Sequence, residues 1–482
     1  MPAPVLIRDA DWAVVWDAPA RRHAYARGMD VLLDGGRVAA IARHDPDAPV
    51  PPGAEVVDGR RLLVMPGLVN IHTHPTTEPS ARGVREDHGV PEQQMSGLFE
   101  RLQAFRLDQA GQAAAMRLAY AELMSAGVTS VVDLSPPFPD WLGIMRDSGL
   151  RVWAGPGYAA AHWGMSAPQT VTWMWNRENA RTQFDAAKRV MKEADADPSG
   201  RLHGIVFPAQ IDTVEEDMLR ESIAFAGETG RPFTTHIAQA VVEVREMIRR
   251  HGITPIQWAA SIGLLTPRSI LGHAIFVDEH SSIGWHTATD IGLVAEHGAT
   301  VAHCPSPFAR YGEHLKHFGK YRARGVNMGF GTDCAPHNLI EEMRLAIILA
   351  RNAVRDVAAA DTGSVFHAAT AGGAAALGRP DLGRLEKGAA ADVVLVDLAH
   401  PLMSPPRDPL RALVFHAADR AVKRVMVGGE TVFADGGPTR LDVAEAAGIL
   451  AESQAKMLRD ARGRDYRGRS GDEISPLSLP MH

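Results

Sequence analysis

The chain has 482 residues, of which 45% are hydrophobic and 22% are charged, as is usual for a globular protein with a large core. Its 57 acidic residues outnumber its 50 basic residues, and the net charge of −7 argues against a general nucleic-acid binder. Two cysteines exclude a disulfide framework and a multi-cysteine zinc module, whereas 21 histidines direct attention to metal or acid–base chemistry.

The amino-terminal stretch MPAPVLIRDADWAVVWD lacks the basic-then-apolar order of a secretory signal. No stretch of the chain reaches the about 18 uncharged apolar residues that a membrane span needs. We therefore expect a cytoplasmic protein that does not interact with membranes.

Short strands separated by turns are predicted at both ends of the chain. Near the amino terminus they cover residues 4–9, 12–16, 30–33 and 37–41. Towards the carboxyl terminus the same texture returns at residues 391–397, 421–427 and 431–433. We expect the two ends of the chain to build one small β domain together.

Between the two ends, apolar runs of strand length alternate with helical patterns. The predicted strands are 62–71, 128–134, 151–155, 202–208, 232–236, 269–274, 300–304 and 326–332. The clearest helical stretches are 108–125, 181–194, 215–228 and 339–357. Eight such units predict an α/β fold with a closed (β/α)8 barrel. An open doubly wound sheet is the alternative, but it would want a glycine-rich turn after the first strand, and residues 67–74 offer none.

The segment 158–179 fits neither layer of a barrel and carries three tryptophans, of which Trp163 is the first. Because it follows the third predicted strand, it belongs to the face where barrel active sites lie. Two interpretations stay open, namely a lid or pocket wall, and an oligomer interface or packed surface loop.

Histidines and one aspartate lie at the ends of several predicted barrel strands. His72 and His74 are two residues apart in PGLVNIHTHP, so both imidazoles point to the same face of a strand. His236, His273 and Asp333 end the fifth, sixth and eighth strands. In a barrel all five meet at one rim, and imidazoles with a carboxylate suit a divalent metal ion.

These motifs resemble the amidohydrolase superfamily, specifically its branch of deaminase-like and triazine-hydrolase-like enzymes. The resemblance covers most of the chain and is carried by PGLVNIHTHP, AGVTSVVD, TTHIAQ, LGHAIFVDE, GATVAHCPSP, GVNMGFGTDCAP, EEMRLA and LGRLEKGAAADVVLVDL. It implies a small β-sandwich from residues 1–64 and 386–440, a barrel over 65–385, and a carboxyl-terminal helix and polar tail over 441–482. It also implies a homo-oligomer, a dimer or higher.

The resemblance assigns roles to the residues at the rim. His72, His74, His236 and Asp333 would hold one divalent metal ion per subunit, with Zn²⁺ expected and Fe²⁺, Co²⁺ or Mn²⁺ suited to similar sites. Asp333 would also take a proton from the attacking water. His273 would hydrogen-bond that water or the substrate atom that gains charge.

Three departures from the family pattern bear on the substrate. Deaminases of this branch usually carry a Glu three residues after the histidine of strand five, and Gln239 stands there, which cannot shuttle a proton. Pro307 and Phe308 make the loop after strand seven stiffer and more apolar. His337 lies where relatives tend to have small residues, and is a candidate for substrate binding or proton relay.

From these departures we expect a hydrolase that cleaves a non-peptide C–N bond in a small, fairly apolar molecule, such as an N-substituted urea, carbamate, amide or N-heterocycle. The alternatives are a deaminase or hydrolytic dechlorinase of a purine-, pyrimidine- or triazine-like ring, and a metal-free structural relative. Candidate substrate contacts are Gln239, His303, His337, Trp163 and Gln210, with Glu78 and Gln94 in the loop after strand one.

Overall fold

A computed structural model describes residues 3–77, 79–84, 96–167, 170–334 and 336–481. The chain opens with a series of short strands, as predicted, because alternating apolar side chains there bury one face of each strand. They are β1 (Val5–Ala10), β2 (Trp12–Asp17), β3 (Arg22–Ala26), β4 (Met29–Asp34), β5 (Arg37–Arg43), β6 (Glu55–Asp58) and β7 (Leu62–Pro66).

The central part of the chain contributes a parallel sheet and one hairpin. Its strands are β8 (Leu68–Thr73), β9 (Val128–Asp133), β10 (Arg151–Ala154), β11 (Ala161–Ala167), β12 (Thr170–Trp175), β13 (Leu202–Gly204), β14 (Phe233–Ile237), β15 (Ser269–His273), β16 (Thr300–His303) and β17 (Asn327–Phe330). All of these except β11 and β12 form one eight-stranded sheet in the order β13-β10-β9-β8-β17-β16-β15-β14. Each predicted barrel strand is therefore present.

Helices connect most of these strands and cover the sheet. The helices are α1 (Ser96–Ala104), α2 (Gln109–Ser125), α3 (Trp141–Ser148), α4 (Arg177–Asp195), α5 (Glu216–Thr229), α6 (Val241–His251), α7 (Pro255–Ser261), α8 (Asp290–Glu296), α9 (Pro305–Arg310), α10 (Phe318–Ala323), α11 (Leu339–Val354), α12 (Thr362–His367), α13 (Gly373–Ala376), α14 (Pro409–Ala412), α15 (Val443–Asp460) and α16 (Gly471–Ile474). Among the described residues no helix combines the length and apolar character needed to cross a membrane.

The two outer strands of the parallel sheet are consecutive in the chain and lie next to each other. Two isolated parallel bridges join the segment after β13 to β14, one from Val206 to Phe233 and one from Gln210 to His236. The backbone N–H of Val206 donates to the carbonyl of Pro232 at 3.0 Å, and the N–H of Thr234 donates to the carbonyl of Val206 at 2.8 Å. The strand order is thus the one expected of a barrel, with isolated bridges between the outer strands.

The chain ends build two further sheets that share a core. Strands β18 (Val393–Asp397), β19 (Val422–Val427), β20 (Glu430–Ala434) and β21 (Gly437–Pro438) join β7, β2 and β3 in a seven-stranded sheet, while β1, β4, β5 and β6 form a four-stranded one. One apolar cluster draws residues from both sheets, including Ile7, Val31, Val64 and Leu395. Strands from both ends of the chain therefore share the seven-stranded sheet.

The apolar run 62–71, predicted as a single barrel strand, is divided between two sheets. β7 pairs with β2 and β18 in the seven-stranded sheet, and β8 pairs with β9 and β17 in the parallel sheet. The division falls at Gly67, where a Cβ atom would lie 2.1 Å from the Thr129 side chain. Periodicity alone could not show this division, because both halves are fully buried.

The carboxyl-terminal segment is held more firmly than a polar tail would be. Helix α15 packs against α2 through an apolar contact that includes Leu118 and Leu450. Beyond it, Tyr466 donates a hydrogen bond to Glu100 at 3.0 Å, and the Arg469 guanidinium pairs with the same carboxylate at 3.0 Å. The helix predicted within 441–482 is present, and much of the following segment is anchored on α1.

Candidate metal centre

Four side chains converge at the carboxyl end of the parallel sheet. His72 lies on β8 and His74 just beyond it, His236 lies on β14, and Asp333 follows β17. Each offers one ligand atom, and these four atoms lie within 4.8 Å of one another. Asp333 Oδ1 lies 3.4 Å from His74 Nε2 and 3.8 Å from His72 Nε2, and the Nε2 atoms of His74 and His236 are 3.1 Å apart. For ligands about 2.1 Å from a tetrahedral ion, the ligand–ligand distance is about 3.4 Å.

The hydrogen bonds of two of these histidines fix which nitrogen faces the group. His74 Nδ1 lies 3.2 Å from the carbonyl oxygen of Leu134, and His236 Nδ1 lies 2.6 Å from that of Ala209. A carbonyl oxygen only accepts, so each Nδ1 carries the proton, and each Nε2 presents a lone pair to the other. Two lone pairs at 3.1 Å repel each other unless a cation lies beside both. The donor set therefore fits a divalent metal ion.

His72 is fully buried, and neither of its ring nitrogens has a hydrogen-bond partner among the described residues. Burial lowers the pKa of His72 well below its usual value, with nearby His273, His236 and His74 adding to the effect. An imidazole kept neutral in this way is available as a ligand. Its ring packs over Gly272, where a Cβ atom would lie 2.7 Å from His72 Cε1, so only glycine leaves the ring its place.

Left-handed residues lie just beyond three of the strands that carry the site. Ala238, Ala274 and Asp333 have φ angles of 52°, 50° and 54°. Such angles cost energy for residues other than glycine and cluster at functional sites. At these positions they turn the chain sharply as it leaves β14, β15 and β17.

His273 lies beside the group without belonging to it. Its ring centroid is 4.6 Å from that of His72 and 4.4 Å from that of Phe308. Neither ring nitrogen has a hydrogen-bond partner within the described part of the chain, and burial lowers the pKa of His273 well below its usual value. The imidazole is thus neutral, with one N–H to donate.

A cavity of about 150 Å³ opens beside His74, His236 and Asp333. This volume is smaller than the about 300–1,000 Å³ of typical ligand pockets, so the space suits a small ligand. Its apolar and aromatic walls are Leu98, Leu102, Trp163, Pro307, Phe308 and Tyr311. Its polar lining consists of His74, Thr77, Gln210, His236, Gln239, Asp333 and Cys334.

Three of the five predicted substrate contacts line this cavity, namely Trp163, Gln210 and Gln239. Gln239 Nε2 donates a hydrogen bond of 2.5 Å to Gln210 Oε1, so the two carboxamides act as one polar edge. The two further candidates in the loop after strand one, Glu78 and Gln94, lie outside the described residues.

His303 and His337 are buried but are not part of the described cavity lining. The His303 ring packs beside Phe318 and Phe330, and burial, with His314 nearby, lowers its pKa to about 3. His337 Nδ1 is 3.1 Å from the hydroxyl oxygens of both Thr73 and Thr332. The sequence had led us to expect both histidines as substrate contacts. In the structure each is packed among other side chains, and neither is among the residues that line the described cavity.

Two buried carboxylates near the cavity, those of Glu243 and Asp212, were not identified from the sequence. Glu243 accepts hydrogen bonds from the backbone N–H groups of Ala238 at 2.6 Å and Gln239 at 2.8 Å, and so fixes the turn that presents Gln239. Burial, with Asp212 nearby, raises the pKa of Glu243 to about 8. The available signal was an acidic residue in the first turn of α6, where it can reach back to free N–H groups.

Residues 63–432 match the amidohydrolase family, and the chain belongs to that family. Among curated relatives, a 5-methylthioadenosine/S-adenosylhomocysteine deaminase from Natronomonas pharaonis is 29% identical over 441 residues, which cover 91% of this chain and 96% of that protein. A protein of the same name from Halobacterium salinarum is 31% identical over 410 residues, covering 84% and 88%. The chain is thus a metal-dependent amidohydrolase, an enzyme class that acts on C–N bonds.

Solved structures share the fold. An adenosine deaminase from Xanthomonas campestris with bound zinc has a TM-score of 0.79 and 24% identity, with 95% of this chain and 99% of that one covered. An atrazine chlorohydrolase from Arthrobacter aurescens complexed with zinc has a TM-score of 0.80 and 21% identity, with 94% and 100% covered. The family and the donor set agree on a divalent metal site, which excludes the alternative of a metal-free structural relative.

Proposed function

We propose that the enzyme displaces an amino group from a ring carbon of a small purine-, pyrimidine- or triazine-like heterocycle, with Zn²⁺ as its metal. The observation that carries this proposal is a three-histidine, one-aspartate group beside a cavity with apolar and aromatic walls. The deaminase names of relatives that align over most of the chain support it. This is the alternative from the sequence, and it now takes precedence over urea or carbamate cleavage.

His72, His74, His236 and Asp333 are the residues that would hold the metal. When bound there, a divalent ion activates water for nucleophilic attack at neutral pH. The Asp333 carboxylate is placed to accept the proton that the attacking water gives up. The neutral His273 imidazole donates its N–H to the substrate atom that gains negative charge. Gln210 and Gln239 offer hydrogen bonds to the polar edge of the ring.

The architecture belongs to the same proposal. We take the eight-stranded sheet to close as a (β/α)8 barrel across the bridges between β13 and β14. We take the composite β-sandwich, the barrel and the carboxyl-terminal helix as three units, with the first boundary at Gly67, between β7 and β8, in place of the boundary between residues 64 and 65 that the sequence predicted. Assembly into a homo-oligomer stays a prediction.

Gln239 favours a second candidate, in which a substituted amine leaves an N-substituted urea, carbamate or amide. The Gln239 side chain lines the cavity but cannot carry a proton, and departing ammonia usually needs such help. Hydrolytic release of chloride from an activated ring would also dispense with this proton.

One assay separates these candidates. The zinc-loaded enzyme is incubated with adenine, N,N-dimethyl-N′-phenylurea and a chlorotriazine, and ammonia, amine and chloride are measured. The proposal expects ammonia as the main product, and expects Gln239→Glu to raise ammonia release about tenfold because a carboxyl group can shuttle a proton. Gln109→Glu, the same change at an exposed residue, is the control and should leave the rate unchanged. Amine or chloride as the main product would overturn the proposal.

A further inference from the structure

The hairpin of β11 and β12 is fastened to the parallel sheet by two tryptophans that share one acceptor. Trp163 and Trp173 lie directly opposite each other in the hairpin. Trp163 Nε1 donates to Asp212 Oδ2 at 2.9 Å, and Trp173 Nε1 donates to the same oxygen at 2.8 Å. One carboxylate oxygen therefore fixes both strands of the hairpin at the same level.

Asp212 is built into the structure at this point. It is 1% exposed and lies in the segment that follows β13, two residues after the cavity-lining Gln210. Its own backbone carbonyl accepts a hydrogen bond of 2.7 Å from the Arg250 guanidinium, which also lies 5.4 Å from the ring centroid of Trp173. These contacts hold the Asp212 carboxylate in place. The hairpin of β11 and β12 is therefore fixed relative to the segment that follows β13.

Only one of the two indoles faces the cavity. Trp163 is part of the cavity lining, and the edge of its ring meets Phe99 of α1 at a centroid distance of 4.8 Å. The carbonyl of Thr213 accepts hydrogen bonds from the N–H groups of Ala160 and Ala161, at 2.8 Å and 2.9 Å, and ties down the start of the hairpin. Trp173 is absent from the described lining, and its contacts include Asp212, Arg250 and its strand partner Trp163.

We propose that Asp212 is a positioning residue for specificity, which by accepting from both indoles holds the Trp163 ring as a fixed flat wall that selects planar ring substrates. The identity of the substrate rests on the proposed function, but the fixed wall does not. A planar ring gains most from stacking when the opposing ring is already held in place, because little further ordering is needed on binding.

The first test measures binding without turnover. Benzimidazole is a suitable probe because it has the planar bicyclic shape and carries no amino group to displace. Asp212→Leu removes the acceptor at similar volume and should raise the dissociation constant of benzimidazole about tenfold. Asp212→Asn keeps an acceptor oxygen and should stay within about twofold, since burial raises the pKa of Asp212 and the site already favours a less charged side chain.

The second test uses a residue outside the cavity. Trp173→Phe removes one indole N–H while Trp163 keeps its own, and should raise the benzimidazole dissociation constant about threefold. In the same variant, amide hydrogen exchange of the hairpin should accelerate. Trp285→Phe is the matched control, because Trp285 Nε1 has no hydrogen-bond partner among the described residues.

The kinetic signature separates positioning from catalysis. On whichever substrate turns over, Asp212→Leu should raise KM and leave kcat within about twofold. Unchanged benzimidazole binding in both folded Asp212→Leu and Trp173→Phe would overturn the inference, as would failure of the wild type to bind benzimidazole. If benzimidazole binds as expected but no ammonia is released, the proposed function fails while the inference stands.

Discussion

Two buried polar groups lie at opposite ends of the parallel sheet, and among the described residues they differ in how their polar atoms are paired. At the amino end, Arg151 at the start of β10 makes a two-pronged contact with Asp392, through Nε at 2.7 Å and Nη2 at 3.0 Å. Asp392 also accepts from the N–H of Gly428 at 2.8 Å. At the carboxyl end, His72 has no hydrogen-bond partner within the described residues, and the Nε2 atoms of His74 and His236 face each other.

The difference shows how buried polar groups divide between stability and function. A buried charge that is fully paired is destabilising to break, because its partner is left uncompensated. A buried imidazole such as that of His72, which has no hydrogen-bond partner among the described residues, lowers stability unless another group contacts it. The first pair therefore joins the sheets, and the second group fits a metal ion.

The largest expected effect breaks the carboxyl-end group. We expect His72→Ala or Asp333→Ala to remove bound zinc and to lower kcat/KM by at least about 10³-fold, because the remaining ligands cannot hold an ion that activates water. Metal analysis and substrate turnover measure this, with thermal unfolding as a check on folding. A variant that kept both metal and activity would contradict the assigned ligands.

The second prediction breaks the amino-end pair. Asp392→Ala leaves the buried Arg151 guanidinium without its partner and should lower the free energy of unfolding by about 3–5 kcal/mol. Urea denaturation measures this, and zinc content per folded molecule should not change. The exposed pair of Asp58 and Arg60 is the control, since Asp58→Ala should have little effect. Loss of metal in Asp392→Ala would mean that the two ends are not separate.

The third prediction tests whether close packing against Gly272 fixes the position of the His72 ring. In Gly272→Ala the new Cβ atom would lie 2.7 Å from His72 Cε1, so the ring must shift. We expect zinc affinity to fall about 10- to 100-fold, as for other changes that reorient a ligand. Competition with a chelator measures the affinity. Gly227→Ala in α5 places its Cβ in open space and should leave the affinity unchanged.

The smallest expected effect is the acid sensitivity contributed by His303. Its pKa is lowered to about 3 in the folded protein, so in acid the unfolded chain takes up a proton that the folded chain does not. The stability that the neutral imidazole contributes is therefore lost as the pH falls below about 6.5. This loss reaches about 2 kcal/mol by pH 5. Urea denaturation at pH 7 and pH 5 should show a smaller loss for His303→Phe than for the wild type. Equal losses would mean that this imidazole titrates normally.

The sequence was sufficient to predict the eight strands and the place of five candidate residues at or near the ends of four of them, because each strand is a nearly continuous apolar run and each candidate residue lies at or shortly after the end of such a run. It did not reveal that the run through Gly67 serves two sheets, since burial is the same on both sides. The sequence also could not predict where His303 and His337 lie, because whether a side chain at a strand end, or in the segment after a strand, faces the cavity depends on the local backbone conformation.

The roles of Asp212 and Glu243 depend on contacts between segments far apart in the chain. Trp163 and Asp212 are joined only when the hairpin folds back on the segment after β13. A single acidic residue in such a segment gives no periodic pattern, and its burial becomes visible only once its indole and backbone donors are in place. Composition suggested metal chemistry, but the residues that shape the cavity required the fold.

The continuous passage from β7 to β8 through Gly67 has a mechanical consequence. The two strands form one continuous segment, which is paired in the terminal seven-stranded sheet at one end and in the parallel sheet at the other. His72 lies on β8, at the end of this continuous segment that is farther from the terminal sheets. The pairing of β7 in the terminal sheet therefore fixes the position of His72 along the parallel sheet. Changes in the loops at the carboxyl end of the parallel sheet can therefore reshape the cavity without moving His72 along its strand.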